Sequence, residues 1–257
     1  MSEWIKLDIL NRDDLRGHSS KGNQLKAKDG IYWYKADCMG YEGLTETVVS
    51  SLLSRSDILA AVDYEPMKME FKSHVYTGCR SRSFLIEGES LITVEKLIRL
   101  YTGTSAARTM ASMTDVKERI CYLANAIAEI TGMTDFGKYL TAMLEIDAFF
   151  LNEDRHTNNI GVVYHPETRR FRHCPYFDHG LALLADTMTD FPLGEDLEKC
   201  IAKMFRSYFF SFTAFSTISN GAGPVSSTAL WKRFWEKSSP HSFTAVFFSS
   251  RNSTYPI

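Results

Sequence analysis

The sequence predicts an α+β fold, strand-rich in its N-terminal part and helical in its C-terminal part, on three observations. Up to about residue 86, stretches rich in β-branched and aromatic residues alternate in polarity, as half-buried strands do. From about residue 93 the apolar spacing changes to the three-and-four rhythm of helices. The 257 residues, 44% of them hydrophobic, suffice for one generous domain or for two small lobes with a cleft between them.

The first predicted strand is Trp4 to Leu10, which alternates apolar and charged residues and lacks the basic tip and apolar run of a secretory signal. Gly17 to Lys26 follows as a small, polar, donor-rich stretch. Its backbone N–H groups could cradle phosphates, with Lys21 or Lys26 adding charge, although it is not a Walker A sequence and by itself reads as a surface turn. Ile31 to Ala36 is the second strand, Glu42 to Leu53 a helix with Leu44, Val48, Val49 and Leu52 on one stripe, and Val62 to Phe71 the third strand.

Three helices are predicted next, marked by Val94, Leu97, Ile98 and Tyr101, then by Ile120, Leu123, Ile127 and Ile130, then by Tyr139, Leu140, Met143 and Ile146. Gly103 and Gly132 are their stops. The most apolar stretch, Ala142 to Leu151, is interrupted by Glu145 and Asp147, so no membrane span is expected. Ile160 to Tyr164 and Phe171 to Tyr176 read as short strands around a turn at His165-Pro166-Glu167. Residues beyond Lys203 are dense in Ser, Thr and Phe without a clear period, and read as irregular or as sequence that did not evolve with the rest. The expected division is 1–86, 87–203 and an atypical tail, 204–257.

Composition narrows the function. A net charge of -2 gives no global pull toward nucleic acid or anionic lipid, so neither partner is implied. Five widely spaced cysteines without a CxxC pair argue against a disulfide framework or a zinc ribbon, and fit a reducing cytoplasm.

The chemistry concentrates in Asn152-Glu-Asp154-Arg-His-Thr-Asn-Asn159 and in Phe177-Asp178-His-Gly180. Phosphoryl transfer requires a carboxylate that orients the attacking hydroxyl and separate oxygen ligands for Mg2+. Asp154 suits the first role, and Asn159 and Asp178 suit the second. Five residues separate Asp154 from Asn159, which lets both side chains enter one cleft from a single loop. A positive φ at Gly180 is expected to turn the chain and aim the Asp178 carboxylate. Lys35 lies in an otherwise apolar strand, where an unpaired ammonium is costly, so it needs a partner. Glu42 and Glu46 are both within reach on the following helix. Glu46 is preferred because it leaves Leu52 and Leu53 facing inward.

In order, the segments SKGNQLK, YWYKAD, GYEGLTE, NEDRHTNNIGV and PYFDHGLAL resemble the HipA-like serine/threonine kinases, in particular their compact, CtkA-like branch, over residues 15 to 200. The resemblance implies a two-lobed, protein-kinase-like fold that binds ATP with Mg2+ and phosphorylates Ser or Thr on a protein substrate. It implies Asp154 as catalytic base, Asn159 and Asp178 as metal ligands, Lys35 with Glu46 gripping the phosphates, and Ser20, Lys21, Gly22, Asn23 and Gln24 as the phosphate loop. It points to self-phosphorylation at Ser19 or Ser20, and to an adenine-reading hinge at Leu85, Ile86 and Glu87. The Arg that usually precedes the catalytic Asp stands after it here, at Arg155, and no Ala-Pro-Glu element follows Gly180. Two alternatives remain: a nucleotide-binding pseudokinase with an impaired C-terminal lobe, and a metal-dependent phosphohydrolase built on His156, His165, His173, His179 and the nearby aspartates.

Overall fold

The structure is a computed structural model that describes residues 4–7, 24–57 and 60–204. The proposed Ser19, Ser20, Lys21, Gly22 and Asn23, residues 8–10 of the first strand, and the tail from 205 onward lie outside the described residues.

The N-terminal lobe is a five-stranded sheet. β2 (Lys26–Asp29) and β3 (Tyr32–Ala36) form a hairpin whose turn uses Gly30 at φ +55, where a missing Cβ removes the steric penalty. β4 (Tyr64–Phe71) and β5 (His74–Arg82) form a second hairpin, and β1 (Ile5–Lys6) runs parallel to β4. The strand order is β1-β4-β5-β3-β2, which places β3, and Lys35 with it, beside β5 in the interior of the sheet.

Across this sheet packs α1 (Glu42–Leu53). Its approach depends on two glycines that touch: a Cβ on Gly43 would stand 2.3 Å from the Gly78 carbonyl carbon, and one on Gly78 would stand 2.1 Å from the Lys35 carbonyl oxygen. Backbone therefore meets backbone, and side chains on the inner face of α1 reach β3. That face differs from the predicted stripe. Glu42, Glu46, Val49 and Leu53 are buried, whereas Leu44 is 57% exposed and Val48 and Leu52 are only partly covered. Apolar period misled because this helix turns two carboxylates inward, for reasons that lie in the cleft.

The C-terminal lobe begins with β6 (Ser90–Thr93), then α2 (Val94–Thr102), α3 (Ala106–Ala111), α4 (Val116–Thr131) and α5 (Phe136–Phe150), and ends in the hairpin of β7 (Gly161–His165) and β8 (Arg170–His173). β6 pairs with β7, giving a small sheet of order β6-β7-β8. Thr93 and Asp115 cap α2 and α4 through their side chains, and Gly103 and Gly132 end those helices in the left-handed conformation. The core of this lobe is built from Ile98, Ile127, Phe136, Leu140, Met143 and Ile146, all nearly or fully buried. β2, β5, β6 and α3 were not anticipated: β2 is charged at three of four positions, and β5 carries Gly78 and two arginines. Among the described residues, no helix is long and apolar enough to cross a membrane.

Candidate active site

Lys35 joins the N-terminal lobe to the Asp178 segment. Its Nζ donates to Glu46 Oε1 at 2.7 Å and to Asp178 Oδ1 at 2.8 Å, with the Tyr64 hydroxyl at 3.4 Å. Burial disfavours the ammonium, but the two carboxylates outweigh it and hold its pKa well above the ordinary lysine range. Burial likewise opposes ionisation of Asp178, yet Lys35, with Lys26 and Arg155 beyond it, holds that carboxyl well below the usual range. Glu42 is excluded as the partner of Lys35 because its carboxylate already accepts from the backbone N–H groups of Cys38, Met39 and Gly40. Glu46 serves a second purpose: its Oε2 accepts from the His179 N–H at 3.0 Å, tying α1 to the residue after Asp178.

The turn at this point is made differently from expectation. The left-handed residue is Asp178 itself, at φ 65, while Gly180 is not among the positive-φ glycines. Gly180 lies close against α1: a Cβ there would stand 3.2 Å from Glu42 Cβ, a contact that requires one of the two to give by a few tenths of an ångström.

α5 feeds the loop that carries Asp154. The helix ends at Leu151 in the left-handed conformation (φ 56). Asp147, one turn earlier and 2% exposed, anchors everything downstream. It accepts from Asn152 Nδ2 at 2.6 Å, and from Arg155 Nε at 2.7 Å and Nη2 at 2.9 Å in a two-pronged pair. The remaining guanidinium nitrogen of Arg155 donates to the Asn159 carbonyl at 2.8 Å and to the Phe177 carbonyl at 3.0 Å. One nitrogen thus holds together the backbone of Asn159 and the backbone immediately before Asp178. The Asn159 side-chain amide donates to the Asp154 carbonyl at 3.0 Å, which leaves its Oδ1 directed elsewhere. Asp154 is partly covered, and His156 Nε2 lies 4.0 Å from its Oδ1. His156 Nδ1 accepts from the Asn158 N–H, so this ring braces the loop and faces Asp154 without bonding it.

Lys26 faces Lys35 directly across the β2–β3 ladder, on the same side of the sheet. Burial and the Lys35 charge lower its pKa, against the opposing pull of Asp178, Glu46 and Asp154. Gln24 is tied to the sheet through its side chain, its Nε2 donating to the Ala36 carbonyl at 3.0 Å, which fixes the last residue of the expected phosphate loop against β3. In the hinge, Ile86 offers no open polar group: its N–H donates to Glu89 Oε2 and its carbonyl accepts from the Glu89 N–H. Arg172 pairs with Glu89, whose carboxyl its hydrogen bonds pull down to about 2, and also holds the Phe84 carbonyl. Among the described residues, the Leu85 carbonyl and the Glu87 N–H have no such partner. Beside them, Val62, Tyr64, Cys79, Phe84 and Phe177 form an apolar cluster.

Among the described residues, the histidines are engaged separately and share no cluster of metal-ligating atoms. His173 pairs with Asp135 at 3.0 Å and stacks on Tyr139, His165 lies beside Gly88, and His179 is buried and neutral, its pKa pushed down to about 4 by burial and the Arg155 charge. Among the described residues, the one trio of His, Cys, Asp or Glu with ligand atoms close enough to share an ion is Glu153, Asp186 and Asp190, which contains no histidine. Sequence reasoning missed Asp147 and Arg155. The signal was available, since a charged residue inside an apolar helix raises the same question of a partner that Lys35 raised.

No protein-family model matches the chain, and no curated protein matches it. Among solved structures, it is similar to the proinflammatory kinase CtkA of Helicobacter pylori, with 17% identity and a TM-score of 0.53, over 78% of this chain and 69% of that one. It also matches HipA of Shewanella oneidensis MR-1, from a toxin–antitoxin complex with HipB and operator DNA, with 12% identity and a TM-score of 0.45, over 94% of this chain and 64% of that one. The architecture and the CtkA match together establish a two-lobed, kinase-like α+β fold.

Proposed function

We propose that this protein is an ATP- and Mg2+-dependent serine/threonine protein kinase. The observation that carries the reading is the pair of links that meet in the cleft: Lys35 held between Glu46 and Asp178, and Arg155 holding the backbones of Asn159 and Phe177 on one nitrogen. Phosphoryl transfer asks the protein chiefly for positioning and electrostatic stabilisation, and this arrangement supplies both.

Lys35, oriented by Glu46, receives the nucleotide phosphates, with Lys26 as a second cation on the same face of the sheet. Phosphate oxygens then replace Asp178 as the partner of Lys35, which frees the Asp178 carboxylate. Asp178 and the Asn159 side-chain oxygen are hard donors that suit Mg2+, and Asn159 has its nitrogen already engaged, so its oxygen is the atom left to bind. When bound, the ion neutralises charge on the transferring phosphoryl group. Asp154 accepts the proton of the attacking hydroxyl and orients it. The Leu85 carbonyl and the Glu87 N–H read the adenine edge, above the apolar floor that includes Phe177. Ser20, Lys21, Gly22, Asn23 and Gln24 are the phosphate loop of this reading, with Ser19 or Ser20 as the site of self-phosphorylation.

The test is phosphate incorporation from labelled ATP by the wild type, Asp154→Ala and Asp178→Asn. Loss of the general base should reduce the rate roughly 10² to 10⁴-fold. Equal incorporation by all three would remove the reading. Nucleotide binding without any incorporation by the wild type would select the pseudokinase alternative.

A further inference from the structure

We infer that Tyr41 is a positioning residue that latches the segment after Asp178 onto the root of α1, so that the Lys35–Glu46 pair stays assembled without an added phosphate. The inference rests on the kinase reading for its functional consequence, but not for its structural content.

Residues 179 to 188 form a strap between two anchors. On one side it is sewn to the end of α5, where the Leu183 N–H donates to the Phe150 carbonyl at 2.7 Å. On the other side it meets the residues just before α1: Gly40 bridges Asp186, and the Met188 N–H donates to the Met39 carbonyl at 3.0 Å. Two consecutive leucines in the strap, Leu183 (φ 52) and Leu184 (φ 62), adopt the left-handed conformation. Branched residues rarely do so, and two in a row persist only where the surroundings over-determine them. The Tyr41 hydroxyl meets both of them, at 2.9 Å from the Leu183 carbonyl and 3.1 Å from the Leu184 carbonyl. A hydroxyl has one proton to donate, so its bond is shared between the two carbonyls, and it fixes their common direction.

Tyr41 is also the residue that immediately precedes α1, at its N-cap position. One turn into the helix, Glu46 holds Lys35 and the His179 N–H. A contact at Tyr41 therefore bears on both ends of the strap and on the helix that orients the lysine. The contact at Gly40 is close enough to require glycine, since a Cβ there would stand 2.0 Å from the Ala185 carbonyl oxygen.

Tyr41→Phe keeps the ring and removes only the hydroxyl. Hydrogen exchange at the amides of His179, Leu183 and Met188 should accelerate by about tenfold, with α2, α4 and α5 unchanged, because one shared bond is lost locally. In the transfer assay, kcat normalised to the folded fraction of the protein should fall by about tenfold while KM for ATP stays within about twofold. The normalisation separates lost positioning from general destabilisation, which lowers apparent kcat only by removing active molecules. Gly40→Ala should give the same pattern from the opposite side of the contact. Unchanged exchange at the three amides in Tyr41→Phe, or acceleration spread evenly over the helices, would overturn the latch. Wild-type protein that transfers no phosphate would remove the kinase reading, yet the exchange measurement would still decide whether the latch exists.

Discussion

Replacing Arg155 by Met would test the claim that a single buried ion pair organises the site. Asp147 is 2% exposed and takes three hydrogen bonds, two of them from Arg155. Removing the guanidinium leaves a carboxylate desolvated with only the Asn152 amide to satisfy it, which costs about 3–5 kcal/mol. Asp147→Leu should cost a similar amount, because it strands the guanidinium instead. A domain of this size is stable by only about 5–15 kcal/mol, so either single change removes a large part of the whole. The double variant removes both charges together, and apolar replacement of a buried pair is often close to neutral. Its cost should therefore fall well short of the sum, with a coupling energy of about 3 kcal/mol. Activity should not recover with stability. Among the described residues, only Arg155 joins the Asn159 carbonyl to the Phe177 carbonyl, so the double variant should fold with this link between its two loops removed. Urea unfolding of the four proteins gives the cycle, and phosphate incorporation by each gives the function. Additive costs, or a double variant that transfers phosphate at the wild-type rate, would refute the reasoning.

Two further outcomes can be checked on single variants. Gly78→Ala places a Cβ 2.1 Å from the Lys35 carbonyl oxygen, so β3 or α1 must move, and a shift of about an ångström between Lys35 and Glu46 should lower the transfer rate by about 10²-fold. Glu145, half-buried on α5, has its pKa raised by burial from 4.5 to about 7. Between those values the folded state holds a proton that the unfolded chain has released, so stability falls as pH rises from about 4.5 to about 7. Allowing for the water that still reaches this side chain, Glu145→Gln should gain on the order of 1 kcal/mol at pH 8 and little at pH 4, read as a rise in melting temperature of about 2–4 °C.

Sequence was informative where chemistry demands particular residue types at short spacing. Asp154, Asn159 and Asp178 could be singled out because their order and separations match one kind of reaction, and Lys35 because a lysine in an apolar strand asks for a counter-charge. Glu46 was preferred over Glu42 for the inward placement of Leu52 and Leu53, but Leu52 is only partly covered and the structural reason is another. Three backbone N–H groups converge on Glu42, a fact of loop geometry with no signature in composition. The buried face of α1 was read only in part for a related reason: the helix is held on the sheet by the Gly43–Gly78 contact and by polar groups as well as by Val49 and Leu53, so its other apolar residues do not mark its inner side. Asp147 looked like an interruption in an apolar helix, and its partner came from the loop beyond the helix end. The positive φ went to Asp178 instead of Gly180 because φ follows from the path of the chain, and Glu46 fixes that path by holding the His179 N–H.

The central claim is that Asp178 and Asn159 hold one metal ion beside a nucleotide held by Lys35. Calorimetric titration of a non-hydrolysable ATP analogue, with and without Mg2+, into the wild type, Asn159→Ala and Asp178→Asn tests it most directly. The account predicts that Mg2+ tightens binding to the wild type by at least about tenfold, a gain of about 1.4 kcal/mol, and that either substitution removes this gain while metal-free binding persists. Binding indifferent to Mg2+ in the wild type, or a full Mg2+ gain retained by both variants, would contradict it.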